Sequence, residues 1–262
     1  MLVGAYAEVE SEKNSLTQQE IEIKTPDGKS DSVFYQPEDA GSLPGVIFLT
    51  DIGGIRPSQR GMAKRLAAEG YAVLMPNIFY RSGHVPVFDF PFEFGEERTM
   101  QRIKEISAAV TPEAFERDAA AYADFLVSHP SVSKGEMGVV GYCFSGALAL
   151  RIAAVRPDRI AAAASFHGGR LVTDEPSSPH LLLGRIKAEL YFGHAIQDRS
   201  MPAEAIQKLN AGLEAWGGRY ESEIYGGAHH GWTVPDNPAY NRPQAERAFE
   251  RLKELFERAL KH

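Results

Sequence analysis

A single cysteine, Cys143, lies in the run Gly141-Tyr142-Cys143-Phe144-Ser145-Gly146, after the apolar stretch that begins at Met137 and before an apolar-periodic segment. That context fits a nucleophile elbow, in which a strand turns sharply into a helix and holds a reactive side chain at the apex. Side chains two positions to either side of the apex would collide with the neighbouring strand and helix, so small residues are needed there. Gly141 and Ser145 supply them. The helix that follows directs its free N–H groups and the positive end of its dipole at the sulfur, which favours thiolate over thiol. Two other readings stay open: a buried cysteine that merely packs as a small hydrophobe, and a register in which Ser145 is a hydroxyl nucleophile. A thiolate that performs acyl transfer needs a base, and the base needs an orienting carboxylate. Asp198, in GHAIQDRSMP, and His230, in GGAHHGW, follow in the order Cys, Asp, His, and each comes just after a β-rich run. His229 is the alternative base. His194 with Asp198, or the His229-His230 pair, would be candidate metal ligands. Loop positions do not preserve helical spacing and no HExxH-like set accompanies them, so no metal site is expected. His167 and His84 read as packed or solvated residues. Asp51 directly follows the run GVIFLT and stands beside Gly53-Gly54, where backbone N–H groups can form part of an oxyanion hole.

The elements that must position these residues alternate along the chain. GVIFLT, YAVLM, EMGVVGY, RIAAAASF, AELYFG and RYESEIY read as strands separated by loops or helices, including a helix from about Ser58 to Glu69. Such alternation predicts βαβ units around a mostly parallel sheet, whose sites form beyond the C-terminal strand ends. Upstream, EIEIK and DSVFYQP alternate with period two around Asp27-Gly28, an antiparallel hairpin on the sheet edge. Residues 77–111 interrupt the rhythm with a stretch rich in Phe, Pro and Gly, read as a lid or site wall, with a surface insertion holding its own small cluster as the alternative. Thr111 and Pro112 then read as the cap and first position of a helix reaching about Ser128. No repeat or linker divides the chain. One domain is expected over 20–262, preceded by an N-terminal extension at 1–19.

Composition excludes other classes. With 28 Lys and Arg against 35 Asp and Glu, the net charge is −7, and no dense basic run exists to neutralise phosphates, so neither nucleic acid nor an acidic membrane surface is an expected partner. A hydrophobic share of 44% and a charged share of 24% are those of a globular chain. No window approaches a membrane-spanning length, the first residues lack the pattern of a signal peptide, and one cysteine gains nothing from an oxidising compartment. A cytoplasmic location is expected.

Four blocks, TDIGGIRPSQRGMAKRLAAEGYAVLMPNIFYR, GVVGYCFSGALAL, GHAIQDRSMPAEAI and YGGAHHGW, are similar to the dienelactone hydrolase family, and the resemblance covers most of the chain from about residue 20. It implies a single-domain α/β-hydrolase fold, with helices on both faces of the sheet. It also implies Cys143 as nucleophile, His230 as base, Asp198 as its orienting acid, and an oxyanion hole formed by the backbone N–H groups of Ile52 and Phe144. In the family a Glu at the position of Asp51 holds the resting thiol, and Gly is usual where Ser145 stands. Arg81 corresponds to one of two arginines that bind the substrate carboxylate, and Val234 occupies the position of the second. The expected activity is hydrolysis of a small ester or lactone through a thioester acyl-enzyme, with no cofactor. The alternatives are thioester or amide hydrolysis on the same fold, and a non-catalytic ligand-binding or redox-sensing protein.

Overall fold

The computed structural model describes residues 15–38 and 41–261. Its eight strands form one sheet in the order β1-β2-β4-β3-β5-β6-β7-β8. β1 (Leu16–Thr25) and β2 (Gly28–Pro37) are the expected edge hairpin, and β2 runs antiparallel to β4 (Ala72–Pro76). The remaining pairings, through β3 (Gly45–Leu49), β5 (Met137–Tyr142), β6 (Ile160–Phe166), β7 (Glu189–Ala195) and β8 (Tyr220–Tyr225), are parallel. β1 starts at Leu16, inside the extension expected at 1–19, and residues 1–14 lie outside the described residues.

The central strands are continuous apolar runs because both faces are covered. Successive side chains point to opposite faces, so Val46 and Phe48 join one buried cluster while Ile47 and Leu49 join the other. Against the first face pack α1 (Pro57–Ala68) and the C-terminal helix, α6 (Arg242–Leu260), through Leu66, Leu252 and Phe256. Against the second pack α3 (Pro112–Ser128), α4 (Gly146–Val155) and α5 (Ala203–Trp216), through Phe115, Leu148 and Leu213. Thr111 caps α3 as expected, its hydroxyl accepting from the Ala114 N–H at 3.2 Å. Among the described residues, no helix is long and apolar enough to cross a membrane.

Residues 77–111 differ from the irregular segment expected there, because they contain α2 (Glu97–Ala108). The apolar residues of this helix, Met100, Ile103 and Ile106, recur at helical spacing, a pattern masked in the sequence by the Phe- and Pro-rich stretch that precedes it. The segment also carries its own aromatic cluster, with Phe88 packed edge-on against Phe90 and Phe92.

Candidate active site

Asp51, Cys143, Asp198 and His230 all lie just past the C-terminal ends of parallel strands, the edge at which open α/β sheets form their sites. At the end of β5 the chain turns through a short 3₁₀ segment, Cys143–Ser145, into α4. Cys143 takes a left-handed backbone, φ +56°. A Cβ on Gly141 would stand 2.2 Å from the Ser145 carbonyl oxygen, and one on Gly146 would stand 2.5 Å from the Gly168 Cα. Glycine is therefore required on both sides of the turn.

Ser145 has a different task from the one its hydroxyl first invites. Fully buried, its Oγ accepts from the Tyr142 N–H at 2.9 Å and reaches the carbonyl oxygens of Leu49 at 3.0 Å and Tyr142 at 3.1 Å. It pins β3 to the turn and has no path to the cavity, which removes the register that made it a nucleophile.

The Cys143 sulfur lies 3.0 Å from His230 Nε2, and His230 Nδ1 lies 2.6 Å from Asp198 Oδ2. The other Asp198 oxygen accepts from the Ser200 amide at 2.8 Å and the Ser200 hydroxyl at 2.6 Å. Burial works against a charged imidazole at His230, but the Asp198 carboxylate and the nearby sulfur outweigh it and hold the group up at about 10. Burial likewise opposes the Asp198 charge, yet the hydrogen bonds from His230 and Ser200 keep its carboxyl below the ordinary value. The arrangement favours an imidazolium beside the sulfur, donating through Nδ1–H to Asp198. His229 is exposed and has no part in this chain of contacts.

His167, read from the sequence as merely packed or solvated, is buried under the pair. Its ring meets those of His230 at 5.2 Å and Trp232 at 5.0 Å, and its Nε2 lies 2.8 Å from the Thr233 hydroxyl. Burial, aided by the His230 charge, keeps it neutral well below the usual histidine range. Among the described residues no group of His, Cys, Asp and Glu side chains is arranged to hold a metal.

Cys143 and His230 open onto a cavity of about 680 Å³ that Ile52 and Phe144 also line. Neither the Ile52 nor the Phe144 amide donates to a turn or loop carbonyl among the described residues. One wall is apolar, formed by Phe94, Met100, Ile103 and Val110 of the 77–111 segment and by Leu148. Phe94 is 67% exposed and Met100 40%, so apolar surface is left uncovered at the mouth.

Two sequence expectations fail here. Asp51 does not hold the thiol: both its oxygens are taken by the Arg56 guanidinium, with Nη2 at 2.8 Å from Oδ2, and the Gly53 amide donates to Oδ1 at 2.9 Å. Arg81 does not line the cavity. Its guanidinium is bidentate on the buried Asp118, at 2.6 and 2.9 Å, and also bonds Asp27 at 2.7 Å. With most of its N–H groups held by two carboxylates and its guanidinium outside the cavity lining, Arg81 is not placed to bind a substrate there. Val234, at the position of the second expected arginine, is fully buried. Two arginines line the cavity: Arg151 is bound to Glu116 and the Ser177 carbonyl, whereas Arg170, in the loop after β6, makes no ion pair or side-chain hydrogen bond among the described residues. Its backbone φ of +55° marked nothing in the sequence, since a lone Arg after SFHGG has no local signature.

Comparison with known proteins identifies the family. A family model described as the dienelactone hydrolase family matches residues 31–260. A carboxymethylenebutenolidase from Rhodococcus opacus is 28% identical over 242 residues, covering 90% of this chain and 90% of that protein. Among solved structures, a dienelactone hydrolase-like promiscuous phosphotriesterase from metagenomic libraries superposes with a TM-score of 0.78 at 22% identity, covering 94% of this chain and 99% of that one. A dienelactone hydrolase from Anabaena variabilis does so at 0.61 and 19% identity, with the same coverage.

Proposed function

The chain belongs to the dienelactone hydrolase family, and from that premise we propose that it hydrolyses a small carboxylic ester or lactone, with Cys143 as nucleophile, His230 as acid and base, and Asp198 as orienting carboxylate. The observation that carries this reading is the unbroken line from sulfur to imidazole to carboxylate, 3.0 and 2.6 Å, opening onto the cavity.

The Cys143 thiolate attacks the carbonyl carbon. The oxygen gains the charge and is held by the free N–H groups of Ile52 and Phe144, which stand preorganised for a tetrahedral intermediate. As that intermediate collapses, the C–O bond to the leaving group breaks and the departing oxygen takes the proton from His230 Nε2. A thioester on Cys143 remains. The neutral imidazole then removes a proton from water, the hydroxide adds to the thioester carbonyl, and the C–S bond breaks to release the acid and restore the thiolate–imidazolium pair. With Asp51 bound to Arg56, no carboxylate switches the thiol on, and the resting pair is ready as it stands.

The apolar wall and the unpaired Arg170 favour an ester with an apolar group and room for an anionic one. Turnover of p-nitrophenyl butyrate tests the reading: wild type should release p-nitrophenol with a burst equal to one thioester per chain if deacylation is slow, and Cys143→Ala should release none above background. Full hydrolysis by Cys143→Ala would refute it.

A further inference from the structure

The Arg56 guanidinium uses all five of its N–H groups within the protein. Nε donates to Asp236 Oδ2 at 2.8 Å, and Nη2 donates to Asp236 Oδ1 at 2.9 Å and to Asp51 Oδ2 at 2.8 Å. Nη1 reaches Asp51 Oδ1 and the Gly54 carbonyl, the latter at 3.4 Å. Its side chain is only 12% exposed, and the Phe92 ring of the 77–111 segment lies over it, 5.3 Å from centroid to guanidinium carbon.

The two carboxylates belong to different loops. Asp51 heads the turn that carries Ile52, a turn closed by the Gly54 amide on the Asp51 carbonyl at 3.1 Å and the Gly53 amide on the Asp51 side chain. Asp236 lies in the turns that follow His230, which are stitched by the Trp232, Val234 and Asn237 amides onto His229, Gly231 and Val234. The space for the guanidinium is built in, since a Cβ on Gly53 would come within 2.5 Å of Arg56 Nη1.

We propose that Arg56 is a positioning residue that fixes the oxyanion-binding Ile52 amide relative to His230, by clamping Asp51 on one side and Asp236 on the other. The proposal rests on the reading of Ile52 and Cys143 given above. A planar fork that grips two carboxylates sets both distance and angle between their loops, which a lysine's point charge does not. Oxyanion donors act only when they meet the oxygen at hydrogen-bonding distance, and losing one costs about a hundred- to a thousandfold in kcat. A displaced donor costs part of that.

The test pairs Arg56→Lys with Asp236→Asn, a near-isosteric change at a side chain 45% exposed. Arg56→Lys should lower kcat for p-nitrophenyl butyrate roughly ten- to a hundredfold with KM nearly unchanged. Asp236→Asn should lower it several-fold in the same direction. Alkylation of Cys143 by iodoacetamide, which builds no carbonyl oxyanion and needs only the thiolate–imidazolium pair, should stay within about twofold of wild type in both. Wild-type kcat in both variants would overturn the proposal, as would alkylation falling in step with hydrolysis. If Arg56→Lys does not fold, Asp236→Asn alone decides by the same two rates. Hydrolysis surviving in Cys143→Ala would instead sink the underlying site reading, so the two failures are separable.

Discussion

The strand-end loops that carry Cys143, Asp198 and His230, and the 77–111 segment opposite them, face one cavity but are fixed by different means. In the first region the backbone itself is forced. Cys143, His167, Arg170 and Gln197, the non-glycine residues of positive φ among the described residues, all lie there. Such conformations cost about 1–3 kcal/mol each and persist only where surrounding bonds over-determine them. Here those bonds run from the Gly169 amide to the Cys143 carbonyl, from the Arg170 amide to the Ser200 carbonyl, and from Ser145 to Leu49. The second region is held by side chains: the Phe88–Phe90–Phe92 cluster, Arg102 on the carbonyls of Ser82 and Val87, and Arg81 on Asp118. Geometry accurate enough for bond making is set by strained main chain that hydrogen bonds lock in place, from side chains such as Ser145 as well as from amides. Shape is set by packing.

Substitutions at the two regions should therefore differ in kind. Cys143→Ala or His230→Ala should lower kcat for p-nitrophenyl butyrate by at least about three orders of magnitude if the proposed triad acts as a unit, and His229→Ala should leave it nearly intact. In contrast, Phe94→Ala should change KM a few-fold. A Phe94 variant as inactive as Cys143→Ala would erase the distinction between the regions.

The second test is pH. The folded value for His230, about 10, lies above the ordinary 6.5. A group raised on folding stabilises fully below its unfolded value and loses that contribution as pH climbs through the folded one. The stability difference between wild type and His230→Gln, measured by urea unfolding, should therefore shrink between about pH 6.5 and 10, and kcat/KM, which reports the resting enzyme, should hold across that window and fall above it. A difference that grew with pH would contradict the imidazolium.

Third, Arg81→Ala should cost about 3 kcal/mol in urea unfolding, because it leaves the buried carboxylate of Asp118, 1% exposed, without its charge partner and with only the Tyr80 hydroxyl donating to it. It should not alter the ratio of kcat/KM for carboxylate-bearing and neutral esters. Arg170→Ala should do the reverse: little change in stability, and a loss of a few-fold to about tenfold on the charged ester alone, the lower end for a charge-assisted hydrogen bond at an exposed site. A shift in that ratio from Arg81→Ala would return the anion-binding role to the 77–111 segment.

Local pattern made much of this legible. Each parallel strand and the edge hairpin could be read as an apolar or alternating run, and the small residues around Cys143 marked the turn before its φ was known. What escaped the sequence was pairing at a distance. Arg81 resembled a substrate contact because nothing local shows Asp118, far along the chain, closing on its fork. Arg56 attracted no notice, since Asp51 and Asp236 meet it only when β3 and the loop after β8 reach the same edge. Ser145 looked like chemistry, and is instead the bond between β3 and the turn. The helix inside 77–111 does carry apolar residues at helical spacing, Met100, Ile103 and Ile106, but the Phe- and Pro-rich run before it reads as irregular and masks them.

The division between a strained backbone locked by hydrogen bonds and a wall shaped by packing also separates two kinds of heritable change. A variant in the wall, at Phe94, Met100, Ile103 or Val110, alters what the cavity admits without touching the bonds that aim the sulfur. A library confined to those four positions should thus yield mostly active members with diverse ester preferences, whereas one of equal size at Gly141, Ser145, Gly146 and Gly168 should yield mostly dead or unfolded ones. Selectivity in this molecule is free to drift, and the reaction is not.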